Sequence, residues 1–196
     1  MTTNEMSKAM RVGIKLMDRE HKNDCNMVGI GDLGIGNTSS ASALCAAIQD
    51  CDPEKYLLRS GCVEESYQHK LQVLRKALGK HPKTHDPLTL LTLFGGFEIA
   101  AMVGAMLRAA HLRMLILIDG FVSATALLIA RQLSPAVTDY CVFCSSSDEP
   151  GHQRLLRDLN ARPLLDLNLK LGEGSGISLA FPLCANAVSI LQQEQF

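Results

Sequence analysis

Apolar residues recur along this chain with two periods, one helical and one of short unbroken runs. Met6, Met10, Ile14 and Met17 fall at helical spacing behind Thr2 and Glu5, which stand three apart as a capping box, so the pattern predicts a helix from about Asn4 to Glu20. No N-terminal subdomain is expected ahead of it. Cys25 to Ile30 reads as a buried strand that empties into a glycine loop, Gly31 to Thr38. Asn37, Thr38 and Ser39 are good N-caps for the next helix, which ends near Gln49 before the turn Asp50-Cys51-Asp52-Pro53. Glu54 to Leu58 starts a short helix. Glu64 to Leu78 is amphipathic, with Tyr67, Leu71, Leu74 and Leu78 on one face and Lys70 just off it. Pro87 to Phe94 is a helix with proline in its first turn, and Gly95 to Glu98 breaks it from Ile99 to Ala110. Leu115 to Ile118 has the unbroken apolar character of a central parallel strand, ended by Asp119-Gly120. A helix over Phe121 to Gln132, a strand over Val137 to Phe143, a helix over Gln153 to Leu159, a strand-like run over Leu164 to Leu171 and a last helix over Ile177 to Gln192 complete the chain.

Strands alternating with helices predict one α/β domain over residues 1–196: a mostly parallel sheet with helices on both faces, a Rossmann-like three-layer arrangement. The composition agrees, since 47% of residues are hydrophobic, only 5% are aromatic and tryptophan is absent. Nineteen Lys and Arg against twenty Asp and Glu leave no basic field for nucleic acid. The longest apolar stretch, Met114 to Ala130, carries Asp119 and Gly120 and falls short of the roughly 20 residues of a membrane helix, so no membrane partner is expected. Seven scattered cysteines and no secretory leader before Thr2 fit reduced thiols in the cytoplasm. Cys141 and Cys144 form a C-x-x-C pair inside a strand signal and read as structural thiols. His81 and His85 lie four apart, but Pro82 breaks any helix between them and no metal is expected.

The candidate chemistry sits at the strand ends. Gly31, Gly34 and Gly36 let a ligand approach the backbone, and the helix start that follows offers free N–H groups and a positive dipole end, a setting suited to phosphate. Gly29, Gly31 and Gly34 also satisfy G-x-G-x-x-G with Asp50 or Asp52 about 20 residues on. A dinucleotide fingerprint would need that acid to end a second strand, whereas Ala46 to Gln49 reads as helix. In a parallel sheet the loops Gly31 to Thr38, Asp119-Gly120, Ser145 to Ser147 and Gly172 to Gly176 gather along one edge. Glu173, flanked by glycines, is there either a base held against a ligand or an exposed turn residue near a helix N-terminus; spacing alone leaves both open.

The blocks Gly31-Asp-Leu-Gly-Ile-Gly-Asn-Thr38, Gly95-Gly-Phe-Glu-Ile-Ala-Ala-Met102, Asp119-Gly-Phe121, Glu149-Pro-Gly-His152 and Leu171-Gly-Glu-Gly-Ser-Gly176, in this order, resemble the nicotinate-nucleotide:dimethylbenzimidazole phosphoribosyltransferases of cobalamin biosynthesis. The resemblance implies transfer of phosphoribose from nicotinate mononucleotide to 5,6-dimethylbenzimidazole, giving α-ribazole 5′-phosphate and nicotinate, with no metal or organic cofactor. Glu173 stands where the family has its general base. Asp32, Gly34, Gly36, Asn37, Thr38, Asp119, Gly120 and Ser147 match substrate-binding positions, and Lys70 is placed to neutralise the phosphate. The chain departs from the family at Asp32, where Glu is usual, at Leu58-Arg-Ser-Gly-Cys62, which lacks the glycine-rich form, and at Ser145, where His is usual. It resembles only the C-terminal part of a full-length member, without residues expected to line the base pocket. A non-catalytic module binding a nucleotide or α-ribazole phosphate is the alternative. A third reading is an assembly role as a homodimer, with Ile99 to Met106 as the partner face.

Overall fold

The Thr2 hydroxyl accepts the Glu5 N–H at 3.3 Å while the Glu5 carboxylate accepts the Thr2 N–H at 2.8 Å, so the first helix is capped as its sequence dictates. That helix, α1, runs Thr3–Lys22 in the computed structural model, which describes residues 1–59, 63–167, 169 and 173–193. It is followed by β1 (Met27–Ile30), α2 (Asn37–Ile48), α3 (Glu64–Gly79), α4 (Pro87–Phe94), α5 (Phe97–His111), β2 (Leu115–Ile118), α6 (Phe121–Leu133), β3 (Cys141–Phe143), α7 (Pro150–Asp158) and α8 (Ser175–Gln193).

The three strands form a parallel sheet in the order β1-β2-β3, with Met27 opposite Leu115 and Ile116 opposite Cys141. Side chains alternate across it. Ile116 and Ile118 enter the main core with residues of α2, α5 and α6, whereas Leu115, Leu117 and Val142 face Ile177, Ala180 and Cys184 of α8. Helices therefore cover both faces, as the alternating pattern requires. α6 is the centre of the molecule: every residue from Phe121 to Ala130 is buried. Its hydroxyls are satisfied locally, Ser123 donating to the Asp119 carbonyl at 2.6 Å and Thr125 to the Phe121 carbonyl at 2.8 Å. α8 is long and apolar enough to cross a membrane by length and composition, but Gly176 and Ala180 in its first half are buried and Ala180 packs on the sheet. Most of its remaining apolar side chains, among them Phe181, Ile190 and Leu191, are exposed.

Several boundaries differ from the sequence pattern. The strand expected over Val137 to Phe143 is three residues long, because Pro135 opens a 3-10 helix over Pro135–Tyr140 in which Val137 is buried. Among the described residues the run from Leu164 forms no named strand but joins the end of β3 through a parallel bridge between Leu165 and Ser145, with the Leu164 N–H donating to the Phe143 carbonyl at 2.9 Å and the Leu165 N–H to that of Cys144 at 3.0 Å; Asn168, Lys170, Leu171 and Gly172 lie outside the described residues. Pro53–Lys55 is a 3-10 turn capped by Asp52 in place of the short helix to Leu58. The N-cap of α2 is Gly36, in the left-handed region at φ 84°, and not Asn37, Thr38 or Ser39, which are already inside the helix.

The helix expected to offer a partner face does not. Ile99, Ala100, Val103, Gly104, Ala105 and Met106 of α5 are buried within this chain. α1 lies along it at backbone contact: a Cβ on Gly104 would stand 2.1 Å from the Met10 carbonyl oxygen, and one on Gly13 would stand 1.9 Å from that of Ala101. The small residues serve packing between two helices of one core.

Candidate active site

The front glycine loop and the turn carrying Glu173 meet. A Cβ on Gly31 would stand 2.8 Å from the Gly174 Cα and 2.9 Å from its nitrogen, so only glycine allows the two segments to pass. Around this contact lies a cavity of about 290 Å³ at the carboxyl ends of the strands. Asp32 lines it from the loop after β1, Thr38 from the first turn of α2, Asp119 and Gly120 from the turn after β2, Ser145, Ser146 and Ser147 from the loop after β3, Glu173 from the turn before α8 and Ser175 from its first position. All four predicted loops thus contribute.

Of the residues singled out from the sequence, Asp32, Thr38, Asp119, Gly120, Ser147 and Glu173 line this cavity; Gly34, Gly36, Asn37 and Lys70 do not. Gly34 and Gly36 lie at the exposed loop tip, which also carries the solvent-facing side chains of Leu33 and Ile35. Asn37 turns its amide back to the Asp32 carboxylate, fixing that carboxylate rather than reaching a ligand itself. Lys70 is half-buried on α3. Ser60, Gly61 and Cys62 of the second loop lie outside the described residues. A larger cavity of about 400 Å³ opens at the other end of α2, by Ala46 and Ala47. Its Arg75 is paired with Asp52 and with Glu54, and its Lys83 with Asp50; it holds Asp50, Asp52, His81 and His85, whose dinucleotide and metal readings the sequence argues against, but none of the family-matched positions, so the smaller cavity is the candidate site.

Glu173 is exposed and sits at φ 59°, with Gly174 at 81° after it. A non-glycine residue there carries backbone strain of order 1 kcal/mol, a feature that concentrates at functional sites. Burial pushes the Asp32 carboxyl up, opposed by its hydrogen bond from Asn37 and reinforced by the negative charge of Glu98. Burial likewise pushes Cys141 and Cys144 up to about 12, which keeps both as thiols.

The sequence pattern gives no role to His152 or Ser175. His152 is buried in the cavity wall, and its Nδ1 shares a hydrogen bond of 2.9 Å with Ser147 Oγ. The Oγ of Ser175 is buried against the same cavity with no hydrogen-bond partner among the described residues, which leaves it able to bond a ligand oxygen. The only sequence signals are their places in the blocks ending at His152 and Gly176.

Burial pushes His152 down to about 4, with Asp119 and Glu149 opposing. Its folded value lies below the roughly 6.5 of an unfolded histidine, so on acidification the unfolded chain takes up the proton first. The contribution is complete above that unfolded value and is lost as pH falls toward 4. Urea unfolding at pH 7.5 and pH 5 is expected to show a larger loss for wild type than for His152→Gln. Equal losses would contradict the burial of a neutral imidazole.

A parallel α/β sheet with helices on both faces and its cavity where glycine, hydroxyl and carboxylate loops converge at the strand ends puts the chain in the class of α/β proteins with a candidate ligand site at the carboxyl edge of the sheet. A phosphoribosyltransferase family model matches residues 1–196, and the chain belongs to the nicotinate-nucleotide–dimethylbenzimidazole phosphoribosyltransferase family. The enzyme of that name from Photobacterium profundum is 43% identical over 189 residues, covering 95% of this chain and 55% of its own. That from Ralstonia nicotianae is 44% identical over 194 residues, covering 98% and 55%. The crystal structure of CobT from Thermus thermophilus superposes with a TM-score of 0.91 at 35% identity, over 98% of this chain and 58% of that one. The chain spans about half the length of the curated relatives it matches.

Proposed function

We propose that this chain transfers the 5-phosphoribosyl group of nicotinate mononucleotide to 5,6-dimethylbenzimidazole. One ring nitrogen of the base attacks the anomeric carbon as the bond from that carbon to the nicotinate nitrogen breaks, with inversion. Nicotinate leaves with the bonding pair, and the proton on the other benzimidazole nitrogen passes to the Glu173 carboxylate. The product is α-ribazole 5′-phosphate. The observation that carries this reading is the convergence of Glu173 with the glycine loop on one cavity, which joins a proton acceptor to a helix start suited to phosphate. Family membership supplies the substrates.

In this reading Asp32 faces the ribose, its carboxylate one methylene shorter than the Glu usual in the family. Thr38 and Gly120 border the nucleotide, while Ser147, oriented by His152, and the Ser175 hydroxyl, which has no partner among the described residues, offer hydrogen bonds to it. Lys70 has the charge to attract the phosphate from α3. We further propose a cytoplasmic homodimer, in which exposed apolar side chains such as Phe181 and Leu191 are covered. Sedimentation at two concentrations tests that assembly, and a monomer at both would refute it.

The pure chain, incubated with nicotinate mononucleotide and dimethylbenzimidazole, is expected to release nicotinate and form α-ribazole phosphate in equal amounts. Nucleotide binding by calorimetry without product would instead support the non-catalytic binding module. Neither binding nor product would reject both.

A further inference from the structure

Asp119 borders the cavity, yet its chemistry is wrong for holding a phosphate. It is a buried carboxylate, and a phosphate brought against it would meet like charge where water screens poorly. Both of its oxygens already have donors. Oδ1 accepts from the Ser145 hydroxyl at 2.6 Å, and Oδ2 accepts from the Gly176 N–H at 3.0 Å.

The second of these bonds reaches the turn that bears Glu173. Gly176 is the second residue of α8, three residues beyond Glu173, and the segment joining them starts with two left-handed residues, Glu173 itself and Gly174. A Cβ at 176 would stand 2.3 Å from Asp119 Oδ1 and 2.9 Å from Ser145 Oγ, so the helix start is pressed directly onto the carboxylate. On its other side the same turn rests against Gly31. Asp119 in turn follows β2, the middle strand, and its own N–H donates to the Ile30 carbonyl at 3.1 Å. A rigid element is thereby tied to the strained turn through one carboxylate.

We propose that Asp119 is a positioning residue: by accepting the Gly176 N–H it fixes the first turn of α8 and with it the location of the Glu173 carboxylate at the cavity, without contacting substrate. The inference rests on Glu173 being the base, and it replaces the substrate-binding role that the family resemblance implied for Asp119. Removing the carboxylate frees the base to move and releases the Ser145 hydroxyl, while the backbone bond from Asp119 to Ile30, the residue before the glycine loop, stays; turnover therefore falls and nucleotide affinity holds.

The test compares the full chain with Asp119→Ala and Asp119→Asn, reading steady-state nicotinate release and amide hydrogen exchange at Gly176. Asp119→Ala is expected to lower kcat about 10- to 100-fold, the scale of a base displaced by an ångström, with KM for nicotinate mononucleotide within about threefold of wild type. Asp119→Asn keeps an oxygen for the Gly176 N–H and offers its amide to Ser145 Oγ, so it is expected to restore kcat to within about fivefold. Gly176 exchange is expected to accelerate about tenfold or more in the Ala variant alone, since only there is its acceptor lost. A rise in KM at unchanged kcat, or an Asn variant as impaired as the Ala variant, would overturn the proposal. If Asp119→Ala does not fold, the Asn variant decides by its retained or lost turnover. If the wild type itself shows no turnover, the functional reading fails separately; the anchor is then judged by Gly176 exchange, and equal exchange in wild type and Asp119→Ala would refute it.

Discussion

Replacing Glu173 by Gln is expected to cut nicotinate release by about 10²- to 10⁴-fold, the usual worth of a positioned general base, while nucleotide binding stays near wild type. The benzimidazole that attacks the ribose must shed the proton on its second nitrogen, or the product carries a positive charge on its aromatic ring. The Gln amide has the shape of the Glu side chain but no basic oxygen to take that proton. Glu173 is exposed at the cavity rim and its side chain supports no core packing, so the substitution leaves the fold intact. Chromatography of released nicotinate reads the rate, and calorimetry with nicotinate mononucleotide reads the binding. Loss of both together would mean that Glu173 holds the nucleotide. Unchanged turnover would remove it from the chemistry.

The largest stability effect is expected far from the site, at Gly13. In an exposed helix Gly→Ala is favourable by roughly 0.5–1 kcal/mol, because alanine has less backbone freedom to lose. Here the new methyl would collide with backbone, 1.9 Å from the Ala101 oxygen and 2.7 Å from the Ala105 nitrogen. Neither atom can rotate away as a side chain would, so α1 and α5 must separate. That disturbs an interface containing the buried Met6, Met17 and Val103, and overpacking of this kind costs about 1–3 kcal/mol or more. Each kcal/mol moves the midpoint of a domain of this size by about 2–4 °C, so Gly13→Ala is expected to melt roughly 5–10 °C below wild type. Gly104→Ala strikes the facing side of the same interface, against Met10. The double variant should therefore lose less than the sum of the two, because one separation of the helices relieves both clashes. A melting point above wild type would show helix propensity to outweigh the contact.

These two positions show where the sequence informs and where it misleads. Glu173 attracts notice in the sequence because glycines on either side remove it from any helix face. Gly13, in the middle of a helical pattern, reads only as a weak spot in α1. The methionine stripe marks the correct face of that helix, yet the closest approach is made by the residue with no side chain. Ile99 to Met106 carries the same ambiguity: small residues signal close packing but not the partner, which is α1 and not a second protein. Val137 reads as strand from the sequence because a buried apolar residue after a proline looks alike in a strand and in a 3-10 turn. Lys70 is assigned to the site through family resemblance alone, and no local pattern states whether a residue in the middle of α3 reaches a cavity formed by other loops.

By itself the sequence determined the capping box at Thr2, the helix from Pro87 to Phe94, the course of β2 and the glycine segments at the strand ends, and so the α/β class. These depend on contacts within about four residues or on the burial of one short run, and such information is carried in order along the chain. Only the tertiary structure decided that Gly31 touches Gly174, that Asp119 holds Gly176 across 57 positions, and that His152 is buried beside Ser147. Those pairings arise when the strands align in register and bring distant loops to one edge, and nothing in the residues' local neighbourhoods encodes that alignment.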